Sequence, residues 1–152
     1  MGQYYIPVIL ADNKKTVKKF IYSHNYGNGM KLMEHSYIGN NFVSAFETLI
    51  QNNPQRVGWA GDYADECKQR KTNLYSRCKD DLKVIPNELN DDTYSFIINH
   101  SKKMFVDKNK VTEMSADWAD GMKIHPLPLL TCEGNGRGGG DFRGDEKGIV
   151  GT

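Results

Sequence analysis

The chain has 152 residues, enough for one domain with a real core and too few for two. Hydrophobic residues make up 38% and charged residues 26%, a globular rather than a disordered composition. Twenty basic residues face nineteen acidic ones, so the molecule as a whole is neither a polyanion binder nor an acidic mimic of nucleic acid, and any such role must come from a local patch. The reading is one domain over residues 1–152.

From the N-terminus, "YYIPVILAD" (Tyr4 to Asp12) is rich in β-branched and aromatic residues, and "TVKKFIYSH" (Thr16 to His24) alternates after a polar turn. Together they predict a β-hairpin. Pro7 cannot donate from its nitrogen, which predicts an edge position or a bulge in the first strand. Next, "GNNFVSAFETLIQNNP" places Phe42, Ala45, Phe46, Leu49 and Ile50 at helical spacing, with Asn40 or Asn41 as cap and Pro54 beyond the end. "QRVGWAGDY" (Gln55 to Tyr63) reads as a short strand entering a turn. The polar stretch from there to Asn90 reads as loops with one short helix.

"TYSFIINHS" and "KMFVDKNKV" predict two strands joined by a tight Ser-Lys turn. "HPLPLLTCE" predicts a strand leading into "GNGRGGGD", and "GIVGT" begins a last one. Strands and one helix in this order, without strand-helix alternation, give an α+β domain: a largely antiparallel sheet with one main amphipathic helix packed on it.

Cys67, Cys78 and Cys132 are odd in number and form no Cys-x-x-Cys pair, which fits a reducing cytoplasm. No apolar run is long enough to span a bilayer, so no membrane partner is expected. Between Lys68 and Lys83, "KQRKTNLYSRCKDDLK" is the best basic stretch; diluted by Asp80 and Asp81, it reads on its own as a solvated charged face.

Four stretches carry a resemblance: "MGQYY", "SHNYGNGMKLMEHSYIGNNFV" (Ser23 to Val43), "WAGDYAD" (Trp59 to Asp65) and "HPLPLLTCEGNGRGGGDFRG" (His125 to Gly144). Over nearly the whole chain they resemble a family of uncharacterised proteins from bacterial genomes, phages and mobile elements. The resemblance implies no activity or catalytic residue. Similar proteins continue beyond the final Val-Gly with a Trp-containing strand, so the last strand here is expected to be cut short at Thr152.

The glycine segment is the first candidate site. Glycines let backbone amides approach and converge on an anion, Arg137 can grip a phosphate through two parallel hydrogen bonds, and Asp141 can accept from a ribose or orient the arginine. No Gly-Lys-Ser/Thr follows and no helix pattern opens after it, so it is neither a Walker loop nor a dinucleotide fingerprint. A flexible hairpin connection is the plain alternative. The resemblance to a fixed string, with arginine and aspartate in place, weighs toward a site.

"SHNYGNGMKLMEHS" gathers His24, Tyr26, Lys31, Glu34 and His35 around a turn, but fits no standard metal-ligand spacing, and adjacent Glu34 and His35 would point to opposite sides of a strand. "WAGDYAD" offers Asp62 and Asp65, as a carboxylate pair or as turn caps, beside Trp59, whose ring could stack on a base. No nucleophile motif surrounds any of the three cysteines, and Cys132 reads as a small buried strand residue.

The candidate ligand set is therefore His24, Tyr26, Asn28, Trp59, Asp62, Asn135, Arg137, Gly138, Gly139 and Asp141, with no catalytic residue, metal or cofactor. The functional expectation is a non-catalytic phage or mobile-element accessory protein acting in the host cytoplasm, alone or as a homo-oligomer. It would sequester a nucleotide-like ligand or a host defence component. Two alternatives stay open: an enzyme acting on a nucleotide or nucleic acid, with Asp62, His24, Arg137 and Asp141 as its working set; and a protein inhibitor of a host defence enzyme, anchored by aromatics such as Tyr37 or Trp118.

Overall fold

A computed structural model describes residues 3–86, 94–113 and 121–133. In chain order the elements are β1 (Tyr5–Leu10), β2 (Val17–Phe20), α1 (Leu32–His35), α2 (Asn41–Ile50), β3 (Arg56–Gly61), β4 (Phe96–Asn99), β5 (Met104–Asp107), α3 (Pro126–Thr131) and β6 (Cys132–Glu133). The fold is α+β, with one four-stranded sheet in the order β2-β1-β3-β6 and a separate β4–β5 hairpin. All pairs are antiparallel except β3 with β6.

Strand β1 is covered on both faces, which is why "YIPVIL" reads as an unbroken apolar run. Tyr5 and Ile9 face a cluster containing Phe42, Val43, Ala45 and Phe46 of α2, Trp59 of β3 and Leu127 of α3. Ile6 and Val8, pointing the other way, join Val17, Phe20, Ala60 and Leu74, a layer covered by the irregular segment that follows β3. The sheet is thus sandwiched between helices and a largely non-regular segment that includes 3-10 turns at Tyr75–Arg77 and Asp80–Leu82.

Helix α2 begins where expected. The Asn40 side chain accepts hydrogen bonds from the N–H groups of Phe42 and Val43, satisfying two donors that the first turn leaves open. The predicted β1–β2 and β4–β5 hairpins and strand β3 are also present.

Two expectations need correction. Pro7 lies in an interior strand, not at an edge, and the irregularity in β1 falls between Ile9 and Leu10. Tyr5 N–H donates to the Met30 carbonyl on the β2 side, so Pro7, two residues on, turns its nitrogen the same way. The ladder to β2 starts only at Val8, and no donor is needed there. "HPLPLL" is helical, not extended. His125 caps α3 by accepting from Leu127 N–H, and Pro126 occupies the first turn, where a missing N–H costs nothing. Cys132 and Glu133 follow as strand, with Cys132 buried as expected.

None of the described helices is long and apolar enough to cross a membrane.

Candidate functional site

The parallel pairing of β3 with β6 decides what lies together. Trp59 and Ala60 stand beside Cys132 and Glu133, so both strands run toward one end of the sheet. At that end β3 enters the turn carrying Asp62, and the chain leaves β6 for the glycine segment. The Gln3 side chain spans the junction, donating from Nε2 to the Glu133 carbonyl at 3.1 Å.

Asp62 is held by the start of β1. Tyr4 N–H donates to Asp62 Oδ1 at 2.9 Å, and Asp62 N–H donates to the Tyr4 carbonyl at 3.0 Å. Behind it, Asn73 donates to the carbonyls of Asp62 and Ala64 and accepts from Ser76, pinning the turn to the covering segment. The result is an open cleft of about 670 Å³ lined by Asp62, Tyr63, Ala64, Asp65, Glu66 and Asn73.

The cleft's electrostatics are acidic. The nearby Tyr75 hydroxyl is pushed up to about 12, first by burial and then by the negative charge of Asp62. Burial raises the Glu133 carboxyl, which Arg77 partly offsets. Such a surface accepts hydrogen bonds and disfavours a naked phosphate.

On the far side of β1, Lys31 bridges to Tyr4, so the turn preceding it also reaches this end of the sheet. His24 is exposed there, edge-on to Tyr22 at 4.8 Å. Asn28 is half-buried and already occupied: it donates to the Tyr26 carbonyl at 2.8 Å, and its Oδ1 accepts from Asn40 at 2.7 Å. Tyr26 packs toward Phe42, and burial raises its phenol. Glu34 and His35 lie on α1 rather than on a strand, with His35 Nε2 3.8 Å from Glu34 Oε2.

Trp59 departs from its expected role. It is 0% exposed and meets Phe42 and Phe46 edge-on, so its ring offers no platform to a ligand. The alternation that turns Ala60 to the covering segment turns Trp59 under α2. Tyr37, a suggested anchor, is half-buried and bridged to Ile124. Asn135, Arg137, Gly138, Gly139, Asp141 and Trp118 lie outside the described residues.

The most organised polar cluster was not among the expected residues. Glu47 on α2 receives Lys108 Nζ at 2.7 Å and the Nε2 of His125, with all three side chains at least 96% covered. His125 Nδ1 accepts from Leu127 N–H, so the ring proton resides on Nε2 and points at the carboxylate. Burial lowers the His125 pKa, more than the adjacent carboxylate restores. Burial would raise the Glu47 carboxyl, but His125 and Lys108 together bring it below the ordinary range. The cluster is a carboxylate, an ammonium and a neutral imidazole. Its enclosure makes it a structural tie between α2, α3 and the end of β5. One signal was legible: Glu47 falls four residues after Val43 and three before Ile50, on the apolar stripe.

Comparison with family models, with curated proteins and with solved structures returns no match. Among the described residues, no group of three His, Cys, Asp or Glu side chains converges as a metal site would.

Proposed function

We propose that the protein is a non-catalytic binding protein that captures a nucleotide-like ligand at the end of the sheet where β3 and β6 finish. The observation behind this is the parallel β3–β6 pairing, which sets the Asp62 cleft beside the root of the glycine segment. The acidic cleft suits the donor-bearing part of such a ligand, its ribose hydroxyls and exocyclic amines. Arg137 and the glycine amides supply what a phosphate needs. The setting of a phage or mobile element follows from the resemblance, and a cytoplasmic location fits three cysteines with no disulfide among them.

Native mass spectrometry of the protein mixed with a nucleotide extract tests this. A small ligand should be retained and released intact on denaturation. Arg137→Ala should weaken its binding by about 1.5–3 kcal/mol in a protein that still folds. Turnover of the ligand would replace capture by an enzymatic role, and no retained species would remove the site.

A second reading rests on a different surface. The outer face of the β4–β5 hairpin exposes Phe96, Ile98 and Phe105, with Met104 beside them, around an apolar hollow of about 350 Å³. This face suits inhibition by covering a partner protein, and a stable complex with a host enzyme and no small ligand would favour it.

A further inference from the structure

The chain's near-zero net charge conceals an uneven distribution. Residues 12–19 and 65–83 hold ten of the twenty lysines and arginines but only five of the nineteen acidic residues. The two segments are far apart in sequence and adjacent in the fold. Lys15 Nζ donates to Gln69 Oε1 at 3.2 Å, Arg70 Nη2 donates to Thr16 Oγ1 at 3.2 Å, and Arg77 Nη1 donates to the Lys15 carbonyl at 2.6 Å. Further along, Val84 N–H donates to the Phe20 carbonyl, so the second segment follows β2 to its end.

We propose that the β1–β2 turn and the segment 67–79 form one binding surface for the phosphodiester backbone of nucleic acid. Lys14, Lys15, Lys18, Lys19, Lys68 and Lys71 are all exposed. Arg77 works as a brace: its guanidinium donates to Thr72 as well as to Lys15, fixing the spacing of the two turns. The surface is therefore preorganised rather than a set of independent side chains. Of the five acids in these segments, Asp12 pairs with Arg56, Asp65 and Glu66 line the cleft, and Asp80 and Asp81 are exposed in the 3-10 turn just beyond the proposed surface.

The backbone adds a second, independent observation. Among the described residues, those with positive φ that are not glycine are Lys14 (59°), Lys71 (51°) and Lys103 (52°). Two of the three sit in the turns that meet here. An L-residue with a Cβ is disfavoured by about 1 kcal/mol in this conformation, and glycine or asparagine would relieve it. Each turn nevertheless carries a lysine at its strained position.

Phosphate backbone fits better than membrane or protein. None of the large apolar side chains that are exposed falls in either segment, so the surface has nothing to insert into a bilayer and no hot-spot anchor. What it offers is spaced positive charge, which predicts sequence-independent and strongly salt-dependent binding. This surface does not depend on the ligand site proposed above.

The test is fluorescence anisotropy of the full chain with a labelled single strand and a duplex of about 20 nucleotides, between about 50 and 200 mM salt. Binding should be measurable at low salt and weaken steeply as salt rises. The variant with Lys14→Gly and Lys71→Gly suits positive φ, so it should fold at least as well, and should lose about tenfold or more in affinity. A control with Lys102→Ala and Lys110→Ala removes the same charge from the hairpin region and should stay within about twofold of the parent. Equal losses in both variants would reduce the effect to net charge and overturn the proposal. So would no binding at low salt, or binding to phosphatidylserine vesicles but not to nucleic acid.

Discussion

Glu47 Oε1 and Lys108 Nζ are 2.7 Å apart and almost completely enclosed, although one lies on α2 and the other just beyond β5. Removing one partner strands a charge in the interior, whereas removing both does not. Glu47→Leu should therefore cost about 3–5 kcal/mol in urea unfolding, and adding Lys108→Met should recover about 1 kcal/mol or more. Strictly additive costs would show that the two side chains do not depend on each other.

The same cluster sets a pH dependence. Burial holds His125 below its ordinary value of 6.5, so the unfolded chain takes up this proton before the folded one. Stability from His125 is complete above that value and is lost as pH falls through and below it. Glu47, also held low, adds a second loss at pH values below 4.5. Melting temperature should thus decline on the acid side of neutral, and the raised Cys78 thiol and Tyr75 phenol should add a separate decline at alkaline pH. His125→Asn keeps a side chain able to cap α3 and removes the titration, so its profile should be flatter between about pH 5 and 7. An unchanged profile would place the acid sensitivity elsewhere.

What could be read in advance follows a physical divide. Signals within a few residues, such as the cap at Asn40, the turn before β2 and the helical spacing of Phe42, Ala45 and Phe46, identified the elements. Long-range pairings could not be read that way. Nothing local distinguishes Trp59 as a buried residue from Trp59 as a stacking platform until β3 is known to lie under α2. "HPLPLL" is ambiguous locally because its apolar run suits strand or helix, and the cap made by His125 decides for helix. The basic surface was half-visible: Lys68 to Lys83 was identified, but the β1–β2 turn that completes it lies more than fifty residues away.

Gly61 shows how closely the sheet end is packed. A Cβ built there would lie 2.0 Å from Gln3 Nε2 and 2.3 Å from the Glu133 carbonyl oxygen, one of which is backbone. Gly61→Ala must displace the Gln3 side chain and press on β6, at a cost of about 1–3 kcal/mol. The measurement is chemical denaturation of the variant. Under the proposed ligand reading, the same change should also weaken binding, because it shifts the root of the glycine segment. A neutral substitution would mean that β6 is free to move away from β3.

Asn28 and Asn40 form the remaining coupled pair. Asn40 caps α2 with its oxygen while its amide donates to Asn28 Oδ1 at 2.7 Å, so the cap and the turn at Tyr26 to Gly29 orient each other. Asn40→Ala should cost about 1–2 kcal/mol through the lost cap. Asn28→Ala should cost about 1 kcal/mol through the lost side-chain bonds, and the double variant should cost less than the sum because one hydrogen bond is common to both. Thermal melts of the three variants settle the coupling. Ligand binding then separates the two roles of Asn28: a loss of affinity beyond that caused by Asn40→Ala would mark direct contact with the ligand, while equal losses would leave it as a support for the turn.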